Sequence, residues 1–283
     1  MVYLLLVSLI WGFSFGLIKT QLAGIDVYFV AAARMALALP LFLPFLKKIP
    51  FKISAHLALI GAVQYGMMYC SYLYAFRYLS AYEIALFTIL TPIYVTVIFN
   101  LWEKKFQPWA LGMALLAVIG AAVIRYAQPP REVLTGFLLM QLSNLCFAWG
   151  QVAYRKLKKN MPELKDQNIF AWLYAGALLV TALAATWSGG WRDAAKLTLQ
   201  QTGVLVYLGI LASGLCFFWW NKGAVLSKPA TLAVFNNAKI PLAVLCSLVF
   251  FGEKTDVPRL LIGGGIMLLA VILTEKLKIF RQN

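Results

Sequence analysis

Apolar runs of roughly 20 residues, separated by short polar clusters, recur along the whole chain. About 20 apolar residues in a helix rising 1.5 Å each cover a hydrocarbon core of about 30 Å. By this measure the pattern predicts ten spanning helices, at 2–19, 27–46, 54–76, 82–99, 108–124, 133–154, 167–187, 202–221, 229–250 and 257–274. The connections are too short to hold a soluble domain. The first run, "MVYLLLVSLIWGFSFGLIK", has the length of a signal peptide. It lacks a basic start and a small-x-small cleavage site and contains Trp11, so it is read as the first span.

Composition supports this reading. Of 283 residues, 62% are hydrophobic and 12% charged, with a mean hydropathy of +0.80. Soluble domains are about half apolar and about a quarter charged. The expected class is therefore an all-α polytopic membrane protein in a lipid bilayer.

The net charge of +15 would suggest nucleic acid in a soluble protein. Here the basic residues fall mostly in loops, so they report topology and no nucleic-acid partner is expected. With the N-terminus in the cytoplasm, the cytoplasmic segments hold fifteen of the 25 Lys and Arg, and the opposite side eight. The excess of basic residues on one side predicts that both termini are cytoplasmic. The two that remain, Arg34 and Lys239, lie inside spans.

No catalytic pattern is present. His56 is the only histidine, and the four cysteines are isolated within apolar runs. There is no metal-ligand cluster, no Ser/His/Asp set and no phosphate-cradling loop. An enzyme, a metal site and a cofactor are not expected.

The two halves repeat. "TPIYVTVIFNLWEKKFQPWALGMALLAVIGAAVI" (91–124) lines up with "IPLAVLCSLVFFGEKTDVPRLLIGGGIMLLAVIL" (240–273), matching Pro92 with Pro241, Glu103-Lys104 with Glu253-Lys254, and Pro108 with Pro258. Trp11-Gly12 of the first span recurs as Trp149-Gly150 in the sixth. The expected units are a first five-helix repeat over 1–130 and a second over 131–283, inverted because five is odd. Inverted repeats are an architecture of secondary transporters, which bind substrate near the midplane between the halves.

The ordered motifs resemble the EamA-type ten-helix transporters of the drug/metabolite transporter superfamily. These are a Trp-Gly pair in the first span of each half, proline in the fourth, a Glu-Lys loop, proline, and a Gly/Ala-rich fifth span. The resemblance covers essentially the whole chain. It implies a multi-pass carrier of the bacterial inner membrane, often an exporter of amino acids or related metabolites; the expected assembly is a monomer or a homodimer.

Ionisable groups inside a span are expensive and usually face a cavity. Lys239 lies about ten residues into the ninth span, near the midplane, with Asn236 one turn earlier on the same face. Lys239 is read as a carboxylate or phosphate ligand; the structural alternatives are a buried ion pair or snorkelling. Arg34 and Glu83 are read as an ion pair, with Glu83 alternatively a protonatable coupling site. Gln141, Asn144 and Gln151 form a polar stripe on the sixth span, suited either to a water-filled path or to bonds between helices. Trp11, Tyr69, Tyr72, Trp149 and Trp220 are candidate walls of the site, beside the alternative of ordinary packing. Pro92 and Pro241 are candidate hinges, and equally static kinks.

The expected function is export of a small amphipathic metabolite, an amino acid foremost, by alternating access. The alternatives are a multidrug or phosphorylated-metabolite carrier, and a channel.

Overall fold

A computed structural model of the chain describes residues 2–104, 130–226 and 229–280, together with Gly112, Leu115, Leu116, Ile119, Gly120 and Val123. The predicted fifth span at 108–124, with Pro108, lies outside the described residues apart from these six. Every regular element among the described residues is helical. The helices are α1 (Val2–Gln21), α2 (Val27–Leu41), α3 (Phe51–Ala75), α4 (Ala81–Trp102), α5 (Pro130–Asn160), α6 (Asp166–Ser188), α7 (Leu199–Leu226), α8 (Pro229–Val249) and α9 (Val257–Phe280). Thus α5 to α9 are the sixth to tenth predicted spans.

Six of these helices, α1 and α3 to α7, are long and apolar enough to cross a membrane. Shorter apolar stretches lie at Val27–Leu41 in α2, Phe235–Val249 in α8 and Val257–Leu269 in α9. Leucines such as Leu138, Leu179, Leu183 and Leu261 are more than half exposed on the bundle's outside. Apolar surface on this scale needs lipid around it. The chain is a multi-pass membrane protein, helical throughout its regular elements among the described residues.

Several ends follow from local chemistry. Asp26 starts α2 by accepting from the backbone N–H groups of Tyr28 and Phe29 at 3.0 and 2.9 Å. The second span was expected to run to 46. It tightens into 3₁₀ turns from Leu39 because Pro40 and Pro44 cannot continue an α-helix. Ser80 and Glu83 form a capping box at the start of α4. Glu253, from the loop before α9, adds a second cap there, accepting from Ala81 N–H at 2.8 Å and Tyr82 N–H at 3.1 Å.

Glycines set how closely helices approach. A Cβ at Gly61 of α3 would collide with the Leu173 carbonyl of α6, and one at Gly176 of α6 with the Ala58 carbonyl of α3. At the duplicated Trp-Gly pairs, Gly150 admits Gln64 of α3, and a Cβ on Gly12 would lie 3.0 Å from Leu242 of α8.

Both α3 and α7 contain a π-helical stretch, at Ala62–Met67 and Tyr207–Leu215. Each overlaps a Gly-x-x-x-x-Gly sequence, Gly61–Gly66 and Gly209–Gly214. A π-turn shifts the hydrogen-bond ladder by one residue and opens carbonyls to other donors. In α7 those donors are side chains. Tyr174 OH donates to the carbonyls of Ser213 and Gly214, each at 2.8 Å, and Trp11 Nε1 to that of Ala212 at 2.8 Å.

Candidate functional site

The bundle encloses a cavity with about 560 Å³ of atom-free space, part of it continuous with the exterior. Its lining comes from α1 (Trp11, Ser14, Phe15), α2 (Arg34), α3 (Met68, Tyr69, Tyr72), α4 (Thr88, Thr91), α5 (Ser143, Asn144, Phe147), α7 (Phe217) and α8 (Lys239). Two cations and no carboxylate are among these residues.

Lys239 is buried, and its Nζ donates to Asn236 Oδ1 at 3.4 Å and lies 5.0 Å from the centre of the Trp11 ring. A long hydrogen bond and a cation–π contact leave much of its charge unneutralised. Trp11 is held in turn by its bond to Ala212 and by Phe217 and Trp220, with ring centres 5.4 and 5.3 Å away.

Arg34 belongs to the same cavity. Its Nε donates to Ser213 Oγ at 3.0 Å and its Nη2 to Tyr69 OH at 2.6 Å. The expected pair with Glu83 does not form. Glu83 instead accepts from the Ser80 backbone N–H and hydroxyl at 2.9 and 2.6 Å, as the acid of the capping box. A carboxylate near the start of a helix is drawn to the open N–H groups there.

The two prolines differ. Pro92 has no N–H to offer Thr88 O, and Thr91 N–H turns to that oxygen in a 3₁₀ turn at Thr88–Leu90. The opened carbonyls are taken by side chains. Asn144 Nδ2 donates to Phe87 O at 2.8 Å, Thr91 Oγ1 to Thr88 O at 2.8 Å, and Asn236 Nδ2 to Thr88 O at 3.5 Å. Pro241, by contrast, is exposed within an uninterrupted helix. Among the described residues, polar side chains are arranged to satisfy the Pro92 break and none is seen to do so at Pro241.

Of the sequence's candidates, Lys239, Trp11, Tyr69, Tyr72 and Asn144 lie in the cavity lining. Asn236 stands behind Lys239, and Trp220 behind Trp11. The polar stripe on α5 serves contacts between helices more than a path. Gln141 accepts from Tyr94 OH at 3.3 Å and Gln151 from Trp220 Nε1 at 3.2 Å. Trp149 is not in the lining and packs edge-on against Trp102, ring centres 6.3 Å apart. Phe15, Thr88, Thr91 and Phe147 also line it and were not among the sequence's candidates. Phe15 was legible, lying one turn from Trp11 on the same face.

This cavity sits in a chain whose sequence matches the model of the EamA-like transporter family over residues 1–126 and again over 134–275. The chain belongs to the EamA-like transporter family. It is a transporter and not an enzyme. Among its relatives, a protein of Pseudomonas aeruginosa named "Probable biotin transporter" is 43% identical, covering 94% of each chain. The "Biotin transporter" of Escherichia coli K12 is 39% identical over 98% of this chain and 93% of its own. A glucose-6-phosphate/phosphate translocator of Arabidopsis thaliana is 20% identical over 66% of this chain and 50% of its own. One solved crystal structure, 16% identical, shares the fold with a TM-score of 0.67 over 98% of this chain and 96% of that one.

Proposed function

We propose that this EamA-family protein is a secondary carrier of biotin, with the bound molecule in the cavity between Lys239 and Arg34. The single observation that carries the reading is the lining itself, two buried cations and aromatic walls with no acidic side chain among the described residues. Biotin fits that chemistry. It presents one carboxylate, a flexible apolar chain and a compact fused ring. Lys239, oriented by Asn236, holds the carboxylate, while Trp11, Phe15, Tyr72 and Phe217 contact the apolar parts. The relatives' names supply the vitamin; the cavity supplies a reason.

The expectation of an amino acid as substrate gives way here. An amino acid carries an ammonium beside its carboxylate, and that ammonium would face two cations with no carboxylate to pair with. A phosphorylated metabolite is the second reading, since two cations also suit a phosphate.

The inverted five-helix units at 1–130 and 131–283, with cytoplasmic termini, remain the frame of the proposal. In it the two halves open the cavity to each side of a bacterial inner membrane in turn. The test is counterflow in proteoliposomes preloaded with unlabelled biotin. Saturable entry of labelled biotin, blocked by excess biotin but not by amino acids or glucose 6-phosphate, is the expected result. Block by glucose 6-phosphate instead would transfer the assignment to the phosphate reading, and conductance steps in a planar bilayer would replace the carrier with a channel.

A further inference from the structure

Next to the cavity lies a second compartment, with about 1020 Å³ of atom-free space, part of it continuous with the exterior. The two are stacked along the bundle, because they divide the same three helices between them. On α1, Phe15 lines the cavity and Ile18 the second compartment. Arg34 and Val30 divide α2 in the same way, and Tyr72 and Phe76 divide the end of α3. Each step is about one helical turn, or about 5–6 Å. The second compartment is lined in part by Lys19, Asp26, Arg77 and Asp193, charged groups that belong beside water, and it lies where α1 turns into α2. With the termini in the cytoplasm, as in the frame proposed above, that end of the bundle is the outer one.

The layer between the two compartments is aromatic and thin. The Phe15 ring meets the Tyr72 ring edge-on with centres 6.0 Å apart, and Tyr72 meets Phe76 edge-on at 5.2 Å. All three rings are buried. The Tyr72 hydroxyl makes no hydrogen bond among the described residues, so packing alone holds this ring in place.

The opposite end of the cavity is built differently. One turn further along α3 and α7, Gln64 Nε2 donates to Asn221 Oδ1 at 3.0 Å and Asn221 Nδ2 to Tyr65 OH at 2.8 Å. Beside them Trp220 Nε1 donates to Gln151 at 3.2 Å. All these residues are buried. Parting the helices there leaves buried polar groups without partners, which is costly. Rings packed edge to edge carry no such penalty and separate by a change of side-chain rotamer.

We infer that Tyr72, closed against Phe15 and Phe76, is the gate between the cavity and the outer compartment, and that this compartment is the vestibule through which substrate passes. The inference rests on the carrier reading above, and not on biotin as the substrate.

The test is cysteine labelling in right-side-out membrane vesicles with an anionic methanethiosulfonate that does not cross membranes. The background replaces Cys70, Cys146, Cys216 and Cys246 with alanine and is checked for an intact melting curve. Val30→Cys reports on the vestibule and Ser143→Cys on the cavity. Val30→Cys is expected to label at one rate whatever stands at position 72. Ser143→Cys is expected to label slowly with Tyr72 in place and about tenfold faster with Tyr72→Ala, which removes two ring contacts. Tyr72→Phe keeps the ring and should stay slow. Phe87→Ala, which removes a buried ring outside both linings, should stay slow as well. Should Tyr72→Ala not be recovered folded, Phe76→Ala opens the same layer from the vestibule side and should speed labelling of Ser143→Cys in its place. Labelling of Ser143→Cys that is unmoved by these openings, or equally accelerated by Phe87→Ala, would overturn the gate. Failure of Val30→Cys to label from outside would overturn the vestibule. Excess biotin should protect Ser143→Cys and leave Val30→Cys exposed to the reagent. Loss of that protection, with the acceleration by Tyr72→Ala intact, would overturn the biotin reading and leave the gate standing.

Discussion

Asn144 donates its side-chain amide to the Phe87 carbonyl at 2.8 Å, closing from α5 the gap that the Pro92 break opens in α4. Its Oδ1 accepts from Thr91 Oγ1 at 3.2 Å, so both faces of the amide are used. Removing one partner of a buried hydrogen bond leaves the other unsatisfied, at about 1–3 kcal/mol. Asn144→Leu should destabilise the folded protein by about that amount, read as a lower melting temperature in detergent. Pro92→Ala in the same background restores the backbone donor to Thr88 and should recover part of the loss. Full additivity of the two changes would show that the break and the asparagine act independently.

The interlock of α3 with α6 makes a sharper prediction. A methyl group at Gly61 meets the Leu173 backbone carbonyl, which cannot rotate away as a side chain would. Overpacking of this kind costs about 1–3 kcal/mol or more. Gly61→Ala should therefore sharply lower the yield of folded protein in membranes. Gly203→Ala in α7 is the control, because nothing lies within 4 Å of a Cβ there. It should match the wild type, or exceed it slightly through helix propensity.

Glu253 ties the α8–α9 connection to the start of α4 through two backbone N–H groups. Glu253→Ala removes both acceptors and an anion at a helix N-terminus, interactions of about 0.5–2 kcal/mol. The melting temperature should fall, and amide exchange at Ala81 and Tyr82 should quicken before exchange elsewhere in α4. Unchanged protection at those two amides would show that the cap is not held in the membrane.

Acidification tests the loop between α6 and α7. Asp193 accepts from Lys196 Nζ at 2.9 Å and from the Asp26 backbone N–H at 2.7 Å, which together hold its carboxyl below the usual aspartate range. A lowered folded-state pKa favours the native state above the unfolded value of about 3.9, and that contribution is lost as pH falls through the folded value. The Asp193-dependent part of stability should therefore be flat from neutral pH to about 5 and decline below about 4. Melting curves of wild type and Asp193→Asn should converge at the acid end.

The sequence made the class, most span positions and the burial of Lys239 within the bundle legible, because hydropathy and a charge in an apolar run are local signals. Arg34 was visible as a buried cation for the same reason, but its partners were misjudged. Pairing opposite charges by depth in the membrane overlooks a helix start such as Ser80, which gives Glu83 two hydrogen bonds. Trp149 was placed in the site by its match to Trp11, yet a shared motif does not fix which neighbour a side chain faces. The π-helical stretches in α3 and α7 went unread. The Gly-x-x-x-x-Gly spacing was present in both, but its meaning depends on Leu173 and Leu37, residues distant in sequence that press against Gly61 and Gly209.

The central claim is that Lys239 holds the carboxylate of biotin inside the cavity. Its most direct test is the rate of labelled-biotin entry into proteoliposomes for wild type and Lys239→Ala, each first shown to be folded by its melting curve. A charge-assisted hydrogen bond of about 1.5–3 kcal/mol corresponds to about a 10- to 150-fold effect. Saturable wild-type entry, with transport efficiency reduced in Lys239→Ala by at least tenfold, is the predicted result. Equal entry through both proteins would contradict it.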